Sequence, residues 1–168
     1  MTLVKLDYSV NNIDDILKTM ALLTVETTSW IYGDDMGLPE NIKMYIEYKK
    51  KAMPITYLMY DDTKMFAYLT LSIDNNILNI EDIHILKDYR NNSSTMMAIL
   101  SAIAKEYLAN KLTINKVVYY INKKNELSQH IFAKYSKSRI ENKNNYMYEL
   151  DLENPFILKL LEKCKEEA

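Results

Sequence analysis

Residues 80–96 read Ile80-Glu81-Asp82-Ile83-His84-Ile85-Leu86-Lys87-Asp88-Tyr89-Arg90-Asn91-Asn92-Ser93-Ser94-Thr95-Met96. The run from Ile77 to Leu86 reads as a strand. Lys87 to Thr95 is polar. From Met96, apolar side chains recur at helical spacing through Ile99, Leu100, Ile103 and Tyr107. Ser93, Ser94 and Thr95 all suit the N-terminal cap of that helix. A strand that feeds a helix through a short polar turn sets the helix start beside the strand end. Free N–H groups and the macrodipole can hold a phosphate there.

On the N-terminal side, Met65 to Ile73 reads as a strand, with Leu69, Leu71 and Ile73 alternating against Thr70 and Ser72. Asp74-Asn75-Asn76 is a hairpin signal between it and Ile77. Ile55 to Tyr60 reads as another strand, ended by an Asp61-Asp62 turn. Further back, Pro39 starts a helix that runs to about Lys51. Gly33 to Pro39 is a loop. Asn12 is placed to cap a helix with Ile13, Ile16, Leu17 and Met20 on one face, and Leu3 to Tyr8 is a first strand. On the C-terminal side, Ile114 to Ile121 is a strand and Leu127, Ile131 and Tyr135 mark a helix. Tyr146 to Leu152 alternates as a last strand, and Asn154-Pro155 opens a C-terminal helix. The expected order is β-α-α-β-β-β-α-β-α-β-α, an α/β (α+β) chain with a mixed, mostly antiparallel sheet flanked by helices. The 168 residues suit a single domain, 1–168, with a sizeable core.

Composition narrows the function. A net charge of −2 argues against a dedicated nucleic-acid binder, which needs a basic face. The Lys49-Lys50-Lys51 run reads as a solvated helix face. The only glycines, Gly33 and Gly37, share one loop, which excludes a P-loop and a glycine-rich dinucleotide fingerprint. Any phosphate site must therefore be built without glycine. The single cysteine, Cys164, allows no intramolecular disulfide and no thiolate zinc site. His84 and His130 show no repeated ligand spacing, so no metal is expected. No basic region followed by an apolar run stands at the N-terminus. The stretch from Met96 to Ala104 is too short to span a bilayer. A soluble, cytoplasmic protein without membrane attachment is the expectation.

The element order, together with Glu81-Asp82 and Asp88-Tyr89-Arg90, resembles the GNAT superfamily of acyl-CoA N-acyltransferases. Its fourth strand runs into a phosphate-binding loop and a helix. The motif is most similar to the spermidine/spermine (diamine) acetyltransferase branch. A second match, Asn125-Glu126-Leu127-Ser128-Gln129-His130-Ile131-Phe132, falls in family order. The resemblance covers the chain from about Leu3 to Leu152.

The resemblance implies acetyl-CoA as cosubstrate and a primary amine, of a small molecule or a protein, as acceptor. Main-chain groups of Ile83, His84 and Ile85 would pair with the pantetheine arm like an added strand. Arg90, Asn91, Asn92, Ser93, Ser94, Thr95 and Met96 would wrap the pyrophosphate, and Asn125 would lie near the pantetheine end. Glu81 would accept the amine's proton, directly or through water. Asp82, on the opposite face by strand alternation, would bind a cationic amine. Homodimers are common in the family, and the last strand and helix are candidates for pairing.

Two departures open a second reading. Ser93 and Thr95 stand where the family loop has glycines, adding bulk and hydroxyl donors together. Phe132 stands where related enzymes have a tyrosine that protonates the leaving thiolate. Tyr135 is the substitute acid offered by the sequence; a core position explains it equally well. The competing readings are a catalytically weakened GNAT-like CoA-binding module and an interaction protein with an empty site.

Overall fold

The computed structural model describes residues 1–166. Among the described residues, β1 (Thr2–Lys5), β2 (Ile55–Asp61), β3 (Lys64–Asp74), β4 (Ile77–Ile85), β5 (Lys116–Asn122), β7 (Asn145–Leu150) and β6 (Ser136–Glu141) hydrogen-bond in that order as a seven-stranded sheet, with helices as the other elements. The residues cluster into two compact units. The first comprises 1–70 and 82–95, the second 71–81 and residues from 96 onward. Two strands, β3 (Lys64–Asp74) and β4 (Ile77–Ile85), run through both.

In the first unit, β1 spans Thr2–Lys5 and pairs antiparallel with β2 (Ile55–Asp61), Thr2 opposite Tyr60 and Lys5 opposite Tyr57. It stops short of the expected Tyr8, because the Asp7 carboxylate takes the backbone N–H and hydroxyl of Ser9 and turns the chain. Helix α1 (Ile13–Tyr32) buries Leu17, Met20, Ala21 and Leu23. Asn12 holds the cap position without a side-chain cap bond, contrary to expectation. Gly33 ends α1 at φ 83°, where a Cβ would be strained. Pro39 opens α2 (Pro39–Ala52), and Met53 closes it in the left-handed region. The core holds Leu17, Met20, Leu58, Met59, Phe66 and Tyr68, all nearly inaccessible to solvent. Each contributes about 2 kcal/mol relative to exposure.

In the second unit, β4 pairs parallel with β5 (Lys116–Asn122) from Ile77↔Lys116 to Ile80↔Tyr119. The parallel crossover is α3 (Ser93–Ala109), which belongs to the second unit from Met96 onward. The helix begins three residues ahead of Met96, so Ser93, Ser94 and Thr95 lie within it and do not cap it. Next come α4 (Glu126–Ala133), β6 (Ser136–Glu141), β7 (Asn145–Leu150) and α5 (Pro155–Glu166). Strand β6 adds one strand to the expected order. It pairs antiparallel with β7, which pairs antiparallel with β5. Because α4 ends at Ala133, Tyr135 lies beyond it and off its face.

The Asn75-Asn76 hairpin joins β3 to β4 with both residues at positive φ, 49° and 63°, the pattern of a type I′ turn. Helix α5 packs Ile157, Leu160, Leu161 and Cys164 inward. Cys164 is 1% exposed, its Sγ 4.0 Å from the Ser101 carbonyl oxygen. Among the described residues, no helix is long and apolar enough to cross a membrane. No group of three or more His, Cys, Asp or Glu among them could hold a metal ion.

Candidate functional site

The turn after β4 is pinned at two neighbouring residues, Tyr89 and Arg90. Tyr89 stacks on Phe66 with ring centroids 4.1 Å apart and donates its hydroxyl to Asp61 at 2.9 Å. The exposed Arg90 folds back, its Nε donating to the Ile85 carbonyl at 2.9 Å. This engages one of the main-chain groups that the resemblance reserves for pantetheine, although a carbonyl oxygen keeps a second lone pair. Ile83 and Ile85 are half-buried and His84 is buried. Asn91, Asn92, Ser93 and Ser94 are exposed, and Met96 is half-buried.

Asn92 is the cap of α3. Its Oδ1 accepts from the N–H of Ser94 at 2.9 Å and of Thr95 at 3.4 Å. An anion at this helix start would have to displace that carboxamide. Thr95 is 1% exposed, and its hydroxyl oxygen has no hydrogen-bond partner. A buried hydroxyl in that state is costly, and a ligand oxygen reaching it would relieve the cost.

Asp82 does not stand open. Lys49, 2% exposed, places its Nζ 2.8 Å from Asp82 Oδ2, and the Thr70 hydroxyl donates to the same oxygen at 2.9 Å. Lys49 is thus no solvated lysine, unlike Lys50 and Lys51 beside it, which are exposed. The other carboxylate oxygen lies 3.8 Å from His84 Nε2. Burial alone would raise the Asp82 carboxyl. The His84 ring and the Lys49 ammonium outweigh it and hold the carboxyl well below the usual carboxylate range.

Donor accounting orients the rest of this network. The Thr27 hydroxyl meets His84 Nδ1 at 2.7 Å and lies within hydrogen-bonding distance of the Leu23 and Thr24 carbonyls. Thr24 donates to the Met20 carbonyl, Tyr68 donates to Thr24, and Tyr45 donates to Tyr68. Burial raises both phenols, Tyr45 and Tyr68, which keeps them neutral donors. Glu81 belongs to the other unit and is exposed.

In the second unit, the Asn125 side chain caps α4 by accepting from Ser128 N–H at 3.2 Å. Phe132 is half-buried, its ring centroid 4.9 Å from that of Tyr119. The Tyr119 hydroxyl donates to the Phe132 carbonyl and meets the Ser136 hydroxyl. Burial pushes Tyr119 up to about 12, against the opposing Ser136 contact. Tyr135 meets the Phe156 ring in a tilted contact, centroids 5.3 Å apart. Two partners escaped the sequence reading: Lys49, masked by its place in a lysine run, and Tyr119, indistinguishable from other strand tyrosines; Asn92 was expected at the pyrophosphate, but its role as the α3 cap, one residue ahead of the expected caps, was missed. For Asn92, the Asn-x-Ser-Thr spacing ahead of an apolar run was a usable signal.

No family model matches the sequence, and no curated protein matches it. Solved structures do match. The PaiA N-acetyltransferase of Thermoplasma acidophilum, crystallised with coenzyme A, aligns over 90% of this chain and 99% of its own, with 16% identity and a TM-score of 0.63. An acetyltransferase of Thermus thermophilus aligns over 89% and 96%, with 10% identity and a TM-score of 0.66.

The fold is that of the GNAT N-acyltransferases.

A third GNAT-fold neighbour, the ribosomal-protein-S18-alanine N-acetyltransferase of Escherichia coli, aligns over 89% and 90%, with 11% identity and a TM-score of 0.60. In GNAT terms, the turn that carries Arg90 is the segment after the fourth strand, and α3 is the helix that follows it.

Proposed function

We propose that this chain is an N-acyltransferase that moves an acetyl group from acetyl-CoA to a primary amine. The observation that carries the reading is the GNAT fold with Arg90 at the turn between β4 and α3. A coenzyme A complex of the T. acidophilum neighbour supports the cofactor class. In this reading, Arg90 and residues Asn91 to Met96 take the pyrophosphate, and an incoming phosphate frees the Ser94 and Thr95 N–H groups from Asn92. The guanidinium fork suits phosphate better than an ammonium would. Main-chain groups of Ile83, His84 and Ile85 receive the pantetheine arm, with Asn125 near its end. The amine attacks the thioester carbonyl, a C–N bond forms, and the C–S bond breaks. Glu81 takes the amine's proton. The CoA thiolate leaves and takes a proton from Tyr135 or from water. Asp82 orders the acceptor side.

The acceptor is a small-molecule or protein amine, and the E. coli neighbour's name supports a protein amine among the options. The protein works as a single domain in the cytoplasm, as a homodimer. A second reading is favoured by the glycine-free loop and Phe132: a module that binds CoA and has lost most of its turnover.

Calorimetry with acetyl-CoA, followed by thiol release with a panel of amines, tests both. No heat and no thermal shift at millimolar acetyl-CoA would remove the two readings together. Binding without turnover of any amine would select the second.

A further inference from the structure

The Lys49 ammonium sits in a cage. Asp82 Oδ2 lies at 2.8 Å and Thr70 Oγ1 at 3.5 Å, and the rings of Tyr45 and Tyr48 have their centroids 5.5 and 5.7 Å away. A carboxylate, a hydroxyl and two aromatic faces are what an amine-binding pocket would use to recognise an alkylammonium ion. The Lys49 side chain is 3% exposed, whereas Asp82 keeps 32% of its side-chain surface in solvent. The carboxylate is therefore within reach from outside, and its cation site is already filled from within. The groups facing Asp82 are Lys49, His84 and Thr70, with Tyr45 and Tyr68 just beyond.

We propose that Asp82, Thr70, Tyr45 and Tyr48 form an ammonium site that the chain's own Lys49 occupies, so that Lys49 sets specificity by denying that site to an external diamine. The acceptor is then an amine recognised through one ammonium only, and the diamine specificity of the branch that the sequence resembles does not carry over. This step rests on the acyltransferase reading for the word acceptor; the filled cage itself does not.

The test is chemical complementation, read without turnover. Full-length wild-type protein, Lys49→Ala and Lys49→Ala/Asp82→Ala are titrated with n-butylammonium, with 1,4-diaminobutane and with butan-1-ol as the neutral control, at constant ionic strength. Wild-type should show no saturable thermal shift with either amine. Lys49→Ala should lose stability and regain it saturably with either amine and not with butanol, while the double variant should respond to neither. If Lys49→Ala folds only in the presence of butylammonium, its refolding yield with amine against butanol gives the same reading. Diamine binding to wild-type that Asp82→Asn abolishes, or rescue of Lys49→Ala by butanol as effective as by amine, would overturn the proposal. Acetyl-CoA calorimetry on the same proteins keeps the two claims apart. Loss of CoA binding in wild-type would sink the acyltransferase reading and leave the amine result standing.

Discussion

At the scale of single residues, the buried charges decide most. The Asp82 carboxyl is raised by burial but depressed further by His84 and Lys49. A carboxyl depressed in the folded state stabilises the fold fully above its unfolded value, about 3.9, and loses that contribution as pH falls through its folded value. Wild-type stability should therefore decline below about pH 5 with a component that Asp82→Asn lacks. Urea titrations across that range measure it, and parallel slopes for the two proteins would rule it out. Phe132 supports a second prediction. A phenyl ring cannot donate a proton, so Phe132→Tyr should speed thiol release from acetyl-CoA with an active amine at least about tenfold, given that acid–base help is worth about 10²–10⁴. An unchanged rate in a folded variant would place the acid elsewhere. Phe132 was readable from its place in the motif. The Lys49–Asp82 pair was not, because the residues are far apart in sequence and only packing brings them together.

At the scale of elements, caps and turns are the testable parts. Asn92→Ala removes the α3 cap and should cost about 1 kcal/mol in a urea titration. It also removes the group that an incoming phosphate must displace, so acetyl-CoA affinity should hold or rise. A parallel loss of affinity would mean that the carboxamide itself contacts the cofactor. In the β3–β4 hairpin, Asn76 holds a φ of 63° that glycine adopts without a Cβ clash. Asn76→Gly should raise stability by about 0.5 kcal/mol, net of the added freedom of the unfolded chain. Differential scanning calorimetry would show a lower midpoint if the side chain were doing more than filling the turn. The elements easiest to see in sequence were those with strong apolar periodicity, such as α3 and β3. Strand β6 was hidden because its six residues, Ser136 to Glu141, are mostly exposed and carry no alternating apolar set. Backbone pairing with β7 makes it a strand, and one-dimensional hydrophobicity does not record such pairing.

At the scale of the whole molecule, the expectation of one domain meets a chain that clusters as two compact units. Each unit carries its own reporter: Trp30 is the only tryptophan, in the first, and Cys164 the only cysteine, in the second. If the chain is one cooperative domain, Trp30 fluorescence and the accessibility of Cys164 should change at the same urea concentration. Two separated midpoints would divide the protein into independently melting parts. The broad α/β plan was legible because it follows from the alternation of periodicities along the chain. The unit boundary was not, because it cuts through the interiors of β3 and β4, where composition does not change.

The burial of Cys164 has a practical side. Turnover of acetyl-CoA is followed by letting a chromogenic disulfide, such as Ellman's reagent, react with each released coenzyme A thiol. A protein with a surface cysteine adds its own colour and blurs slow rates. Here the lone sulfhydryl is 1% exposed beneath α5. The native fold should therefore give a nearly flat baseline, against which even a feeble acetyl transfer could be counted. Any slow upward drift without substrate would time how often α5 lifts away from its bed.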